Sequence, residues 1–377
     1  MAAGAVGPGP GVFAERMERA RKRMADVGVD TLLLSVGADL PYLTGYRAMP
    51  LERLTMLVLP RDGDASLVVP LLEAPRVVEQ GDAFRVLPWS ETDDPIAVVA
   101  RLLGRGGVAA IGERTWARFL VDLQEAVPAT TRWRKATEVM VHLRARKDAA
   151  ELDALRVASR AADRVAHQLQ SGAIPLVGRT EAEVSQDISR RLVAEGHAHV
   201  NFAIVAAGEN AASPHHEAGE RVIGAGEMVL CDFGGTMPDG YCSDITRCVW
   251  TGGEPAGEVV ELYSILQQAQ AESVASAVVG TTCEEVDAVA RRRITEGGYG
   301  ERFIHRTGHG IGLEEHEDPY IVSGNAEPLA PGHAFSVEPG IYLPGFTGAR
   351  IEDIVIATEA GPEPLNFVTH DLVVVDA

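Results

Sequence analysis

The sequence is short of cysteine, of positive charge and of long apolar runs, and each shortage removes a class of protein. Its four cysteines (Cys231, Cys242, Cys248, Cys283) form no C-x-x-C pair. Three of them lie in apolar segments, where a buried free thiol is the expected state. Lys and Arg number 34 against 54 Asp and Glu, a net charge of −20. That balance argues against a nucleic-acid surface or a binder of anionic membranes. No apolar run approaches the roughly 18 residues of a transmembrane helix. The opening residues, Met1 to Pro10, are small and rich in Pro and Gly. They lack a basic stretch followed by an apolar core, so no signal peptide is expected. Together these features predict a cytoplasmic protein with neither nucleic acid nor membrane as partner.

With 377 residues, 46% of them hydrophobic, the chain is long enough for two domains with substantial cores. Apolar residues at Phe13, Met17, Ala20 and Met24 predict a helix ended by Gly28. Short apolar runs then follow at Thr31–Ser35, Leu54–Leu59, Ser66–Val69 and Val108–Ile111, bounded by turn residues as buried strands are. Helical patterns over Pro95–Leu103 and Trp116–Ala126 intervene. This alternation predicts a small α/β domain with no catalytic constellation. Its aromatic pair, Tyr42 and Tyr46, reads as a loop whose ordinary role is packing. A basic stretch near Arg144, Arg146 and Lys147 leads into a long helical pattern over Ala149–Leu169. The expected division is therefore residues 1–140 and 141–377.

The second part repeats itself. Val177-Gly-Arg-Thr180-Glu-Ala-Glu183-Val184 parallels Val279-Gly-Thr-Thr282-Cys-Glu-Glu285-Val286, and both continue through a double arginine to a Glu-Gly. Thr180 with Glu183, and Thr282 with Glu285, fit capping boxes at helix starts. In each copy a Gly-x5-acid stretch follows, Gly226 to Asp232 and Gly332 to Glu338. A second acid before an Ile, Asp244 and then Glu352-Asp353, closes each copy. Two helix–helix–strand–strand units packed about a pseudo-twofold axis would meet in an antiparallel sheet with helices on one face. Alternation along the strands would then bring both pairs of acids to its middle.

A carboxylate inside an apolar strand is costly unless something compensates it. Four such acids, with His309 set among glycines, point to metal. Oxygen ligands and one imidazole, without thiolate, favour Mn²⁺ and tolerate Co²⁺, Zn²⁺ or Fe²⁺. Carboxylates can hold two ions about 3.5–4 Å apart, the spacing at which a shared hydroxide attacks at neutral pH. His305-x-x-x-His309 lacks the Glu of a zincin helix and contains Gly308. Gly308-His-Gly-Ile-Gly312 lacks the third glycine of a nucleotide loop. Neither alternative is retained. His215, after Ser213-Pro, and His316 are loop histidines that such a site could use as donors.

Asp232, Asp244, His309, Glu338 and Glu352, in this order and with these flanks, resemble the M24 metallopeptidases of the pita-bread fold. His305-x-x-Gly-His309-Gly-Ile-Gly-Leu, Glu338-Pro-Gly and Arg350-Ile-Glu-Asp resemble, within that family, Xaa-Pro dipeptidases (prolidases) and aminopeptidase P. The first domain resembles the creatinase-type domain of the same enzymes. The resemblance implies a two-domain α/β protein and a peptidase that hydrolyses the bond before proline in peptide substrates, working as a homodimer. Asp232 would chelate one ion, Asp244 and Glu352 would bridge two, and His309 with Glu338 would hold the second. Glu338 would also shuttle a proton, His215 and His316 would meet the scissile carbonyl, and Arg350 would support the substrate end. A creatinase-like C–N hydrolase and a non-catalytic pita-bread binding module are the alternatives, both marked by loss of the ligands present here. The Asp232–Asp244 spacing is one residue longer than is commonest in the family. The extra residue falls in the Gly235–Gly240 turn and is expected to leave the ligands in place.

Overall fold

The computed structural model describes residues 11–78 and 80–376. The chain divides into two compact units at Arg144/Ala145. The expected cut at residue 140 falls inside a helix, Thr137–Arg144, and the division follows the end of that helix instead.

The first unit runs α1 (Val12–Val27), β1 (Thr31–Leu34), α2 (Asp39–Thr44), β2 (Met56–Pro60), β3 (Ala65–Pro70), β4 (Phe84–Trp89), α3 (Pro95–Leu103), β5 (Val108–Ile111), α4 (Ala117–Ala126), β6 (Arg132–Lys135) and α5 (Thr137–Arg144). Its six strands form one mixed sheet, ordered β4-β3-β2-β1-β5-β6. The stripe of Phe13, Met17, Ala20 and Met24 is buried, and Gly28, at φ 70°, ends α1. Asp94 accepts the backbone N–H groups of Ile96 and Ala97 and so caps α3. Tyr42 is not in a loop. It sits in α2, fully buried beneath the Arg16 guanidinium, which lies 4.2 Å from its ring.

The second unit begins with α6 (Ala149–Gln170), α7 (Glu181–Ala194), β7 (His199–Ala207), β8 (Met228–Thr236) and β9 (Cys242–Thr251). It continues with α8 (Gly257–Ser276), α9 (Cys283–Glu296), β10 (Gly308–Gly310), β11 (Glu317–Ile321), β12 (Ala334–Val337), β13 (Gly340–Leu343), β14 (Thr347–Arg350), β15 (Asp353–Thr358), β16 (Gly361–Pro364) and β17 (Val373–Val375). The repeat is therefore α6-α7-β8-β9 against α8-α9-β12-β15. Both capping boxes form at the starts of α7 and α9.

The pairing of β8 with β9, and of β12 with β15, is antiparallel. The ladder between the halves is interrupted, however. Backbone hydrogen bonds make one sheet of β17-β9-β8-β7, another of β11-β10-β12-β15-β16, and a separate hairpin of β13 and β14. A single antiparallel bridge, Thr246 to Glu352, joins β9 to the far half. Helices cover both faces of β8–β9 rather than one. Val229, Cys231 and Phe233 pack on α6 and α7, whereas Met228, Leu230 and Cys248 pack on α8 and α9. The longer β8–β9 connection leaves the register unbroken from Met228/Trp250 to Thr236/Cys242, with the turn closed by Met237 N–H to the Tyr241 carbonyl.

Candidate metal centre

Met228 and Leu230 face an apolar cluster, and two residues further along the same face of β8 comes Asp232. On β9 the matching face carries Asp244, Thr246 and Cys248, since side chains two apart share a face. The Thr246–Glu352 bridge sets Glu352 beside them. Thr246 Oγ1 donates to Glu352 Oε2 at 2.7 Å and accepts Arg350 Nε at 3.1 Å.

His309 enters from β10. A Cβ on Gly308 would stand 1.8 Å from the Ser336 carbonyl oxygen, so only glycine allows this approach. Ser336 Oγ accepts the His309 backbone N–H at 3.0 Å and donates to Glu338 Oε1 at 3.1 Å. His309 Nδ1 lies 3.1 Å from the Gly310 carbonyl. That carbonyl can only accept, so Nδ1 bears the proton and Nε2 presents its lone pair, the tautomer a metal ligand needs. Nε2 stands 3.7 Å from Asp244 Oδ2 and 3.3 Å from Glu338 Oε1.

Asp244, His309 and Glu352 are all buried, with ligand atoms within 4.8 Å of one another. Glu338 adjoins them through His309. Asp232 is turned toward Arg350, whose Nη2 lies 2.5 Å from Oδ2. Among the described residues, Asp232 Oδ1, Asp244 Oδ1 and Glu352 Oε1 are buried with no hydrogen-bond partner. Unpaired buried carboxylate oxygens are too costly to be left without cause. Burial first, then the neighbouring carboxylates, raise Asp244 and Glu352 well above the usual carboxylate range. Burial, opposed by Arg350, lifts Glu338 to about 7, and burial with His316 beside it holds His309 well below its ordinary value. A bound cation would relieve the raised carboxylates, and a neutral His309 is already in the form that ligates one. The donor set, oxygen with one imidazole, fits a hard divalent ion.

A cleft of about 510 Å³ opens over these groups. His215 and His316 line it together with Phe202, Ile204, Arg306 and Glu315. The His316 ring centre is 3.9 Å from that of His309. The sequence singled out Arg350 but not what holds it. Arg350 Nη1 donates to the Tyr342 hydroxyl at 2.9 Å and to the Pro214 carbonyl at 3.4 Å. His305 Nδ1 donates to the Arg306 carbonyl at 2.7 Å, and its Nε2 accepts from the Tyr342 hydroxyl at 2.8 Å. Burial lowers His305 to about 3 and raises Tyr342 to about 12, so both are neutral links in this chain. A hydroxyl inside the apolar run Ile341-Tyr342-Leu343 was the available signal for Tyr342. For Ser336 it was the i, i+2 spacing to Glu338.

Residues 152–359 match the profile described as Metallopeptidase family M24. The chain belongs to that family. Residues 16–146 match the Creatinase/Prolidase N-terminal domain, so this M24 peptidase joins a creatinase-type α/β domain to a pita-bread domain. It is 45% identical over 368 residues to "Probable dipeptidase PepE" of Mycobacterium tuberculosis, covering 97% of each chain. It is 36% identical to the Xaa-Pro dipeptidase of Lactobacillus delbrueckii subsp. lactis, covering 94% of this chain and 98% of the other. The crystal structure of dipeptidase PepE from Mycobacterium ulcerans superposes with a TM-score of 0.92 at 43% identity, covering 98% of this chain and 99% of that one. No described helix is long and apolar enough to cross a membrane.

Proposed function

We propose that this M24 peptidase hydrolyses the bond preceding proline, with two divalent cations, Mn²⁺ foremost, held by Asp232, Asp244, His309, Glu338 and Glu352. The observation behind the proposal is the set of unpaired buried oxygens on Asp232, Asp244 and Glu352, beside a His309 Nε2 free to ligate. Asp244 and Glu352 suit bridging positions, Asp232 one terminal position, and His309 with Glu338 the other. Bound there, the cations would supply Lewis acidity and a water acidified toward neutral pH.

The protein's own groups do the rest. Glu338, beside His309 and held by the Ser336 hydroxyl, is the carboxylate that would accept a proton and return it to the departing proline nitrogen. His215 and His316 line the cleft and would donate to the developing oxyanion. Arg350, fixed by Asp232, Thr246 and Tyr342, orients Asp232 and walls the substrate end. Both relatives described above are called dipeptidases, which favours dipeptidase over aminopeptidase action. A homodimeric, cytoplasmic enzyme goes with this proposal on the family resemblance and the composition. The ligand set, complete among the described residues, speaks against a creatinase-like hydrolase or a binding module.

The test is a product assay with Xaa-Pro, Xaa-Pro-Yaa and matched Xaa-Ala peptides in Mn²⁺. Cleavage of Xaa-Pro with much poorer Xaa-Ala turnover is expected. Equal kcat/KM for the proline and alanine series would replace the proposal with a broader peptidase, and turnover of Xaa-Pro-Yaa alone would assign an aminopeptidase.

A further inference from the structure

Outside the metal cluster, one carboxylate is fully buried at the first residue of a helix. Glu181 opens α7 with no exposed surface. Its Oε1 accepts the Ala207 backbone N–H at 2.8 Å and Asn210 Nδ2 at 3.0 Å. Its Oε2 accepts His216 Nε2 at 2.8 Å, Asn210 Nδ2 at 3.2 Å and the Gly219 N–H at 3.4 Å. Every one of these donors belongs to the stretch from Ala207 to Gly219, the stretch that carries Pro214 and His215 to the cleft.

A buried carboxylate persists only where donors surround it. Here the donors come from a segment with a short 3₁₀ turn at Gly208–Ala212 and no sheet partner beyond Ala207. The charge and the ordering of the segment therefore depend on each other. The second copy of the repeat does the same with a different residue. Asp287 of α9, also fully buried, accepts the Thr307 backbone N–H at 3.0 Å and the Thr307 hydroxyl at 2.8 Å, two residues before His309. Each repeat helix thus ties down the loop that delivers a histidine to the site.

We propose that Glu181 is a positioning residue. Through His216 and Asn210 it fixes the loop that presents His215 to the substrate carbonyl, and its effect on turnover passes through His215. The proposal rests on the role given to His215 above. Glu181→Gln replaces one acceptor oxygen by an amide N–H₂, so the donors on that side, Ala207 and Asn210 or His216, Asn210 and Gly219 according to how the amide is turned, face a donor instead of an acceptor.

The experiment is a double-mutant cycle on the full-length, Mn²⁺-loaded enzyme with an Xaa-Pro dipeptide, combining Glu181→Gln with His215→Ala. Glu181→Gln alone is expected to lower kcat by about 10–100-fold, the scale of a small misplacement of a reacting group, with KM and metal content near wild type. In the His215→Ala background it should change kcat by less than about twofold. An equal loss in both backgrounds overturns the proposal while leaving the role of His215 intact. If His215→Ala alone is silent, the role given to His215 fails and the proposal fails with it. Should Glu181→Gln not fold, the cycle is run with His216→Phe, which loses the donor, and His216→Gln, which keeps one. Loss with Phe and retention with Gln supports the clamp, and the same loss with both refutes it.

Discussion

Asp244→Asn should have opposite effects on the metal-free and the metal-loaded enzyme. Asp244 and Glu352 offer ligand atoms within 4.8 Å of each other in a buried setting. At an effective dielectric of about 20, two full charges at that distance repel by about 3 kcal/mol. Proton uptake by the wild-type cluster relieves part of this, and the substitution also removes the Asp244–His309 approach. A gain of about 1–2 kcal/mol in the metal-free variant is therefore expected, or roughly 2–4 °C in Tm per kcal/mol for a domain of this size. The pH dependence has a definite sign. A carboxyl whose folded-state pKa is raised destabilises fully above that raised value, and the penalty fades as pH falls toward the ordinary carboxylate range. The gain should accordingly be largest at pH 8 and smallest near pH 4. With Mn²⁺ present the order should reverse if Asp244 holds the proposed bridging position, since its loss would then remove both ions. Metal content should fall below half of wild type, and the Mn²⁺-induced rise in Tm should shrink with it. The assay is thermal unfolding of chelator-treated and Mn²⁺-loaded protein, with elemental analysis of the bound metal. A metal-free variant that melts below metal-free wild type would refute the repulsion argument. Full metal occupancy would refute the bridge.

Two further outcomes test other parts of the molecule. His316→Ala should keep wild-type metal and folding while kcat falls about 10²–10³-fold, the cost of losing an oxyanion donor, and near-normal kcat would make it a solvated loop histidine. His333 is held near 4 by burial and by Lys147 and Arg146, and its Nδ1 accepts the Ala330 N–H, which needs the neutral ring. A lowered histidine pKa stabilises fully above about 6.5 and the benefit is lost as pH falls toward 4, so wild type should lose about 3 kcal/mol over that window. Urea melts of His333→Gln should lack this component, and identical pH profiles for the two proteins would refute it.

The acids were legible because a charged residue in an apolar strand has few explanations, and because the strand period of two fixed which residues share the face of Asp232 and Asp244. The repeat was legible through its capping boxes, whose local chemistry is independent of tertiary context. The interruption between the halves was not, since it depends on β15 beginning only at Asp353, so that Glu352 makes a lone bridge, and no side-chain pattern encodes that. Tyr42 was misread because a six-residue helix is too short to show a period. Glu181 gave no sign at all. An acidic residue in the first turn of a helix reads as a partner of the helix dipole, and only the folded loop around it reveals a buried charge. His305 was set aside with the rejected zincin pattern, although its neutral ring is part of the Arg350 support.

The lone Thr246–Glu352 bridge has a consequence for how the enzyme comes into being. Asp232 and Asp244 belong to one copy of the repeat and His309, Glu338 and Glu352 to the other, so the proposed ion-binding set is complete only when both copies are folded. A nascent or unfolded chain offers cations no local motif, and capture must follow docking of the two copies. On the proposed ligand set, folding of both copies comes before cation binding. Activity would then depend on the supply of the cation as well as on the amount of folded protein.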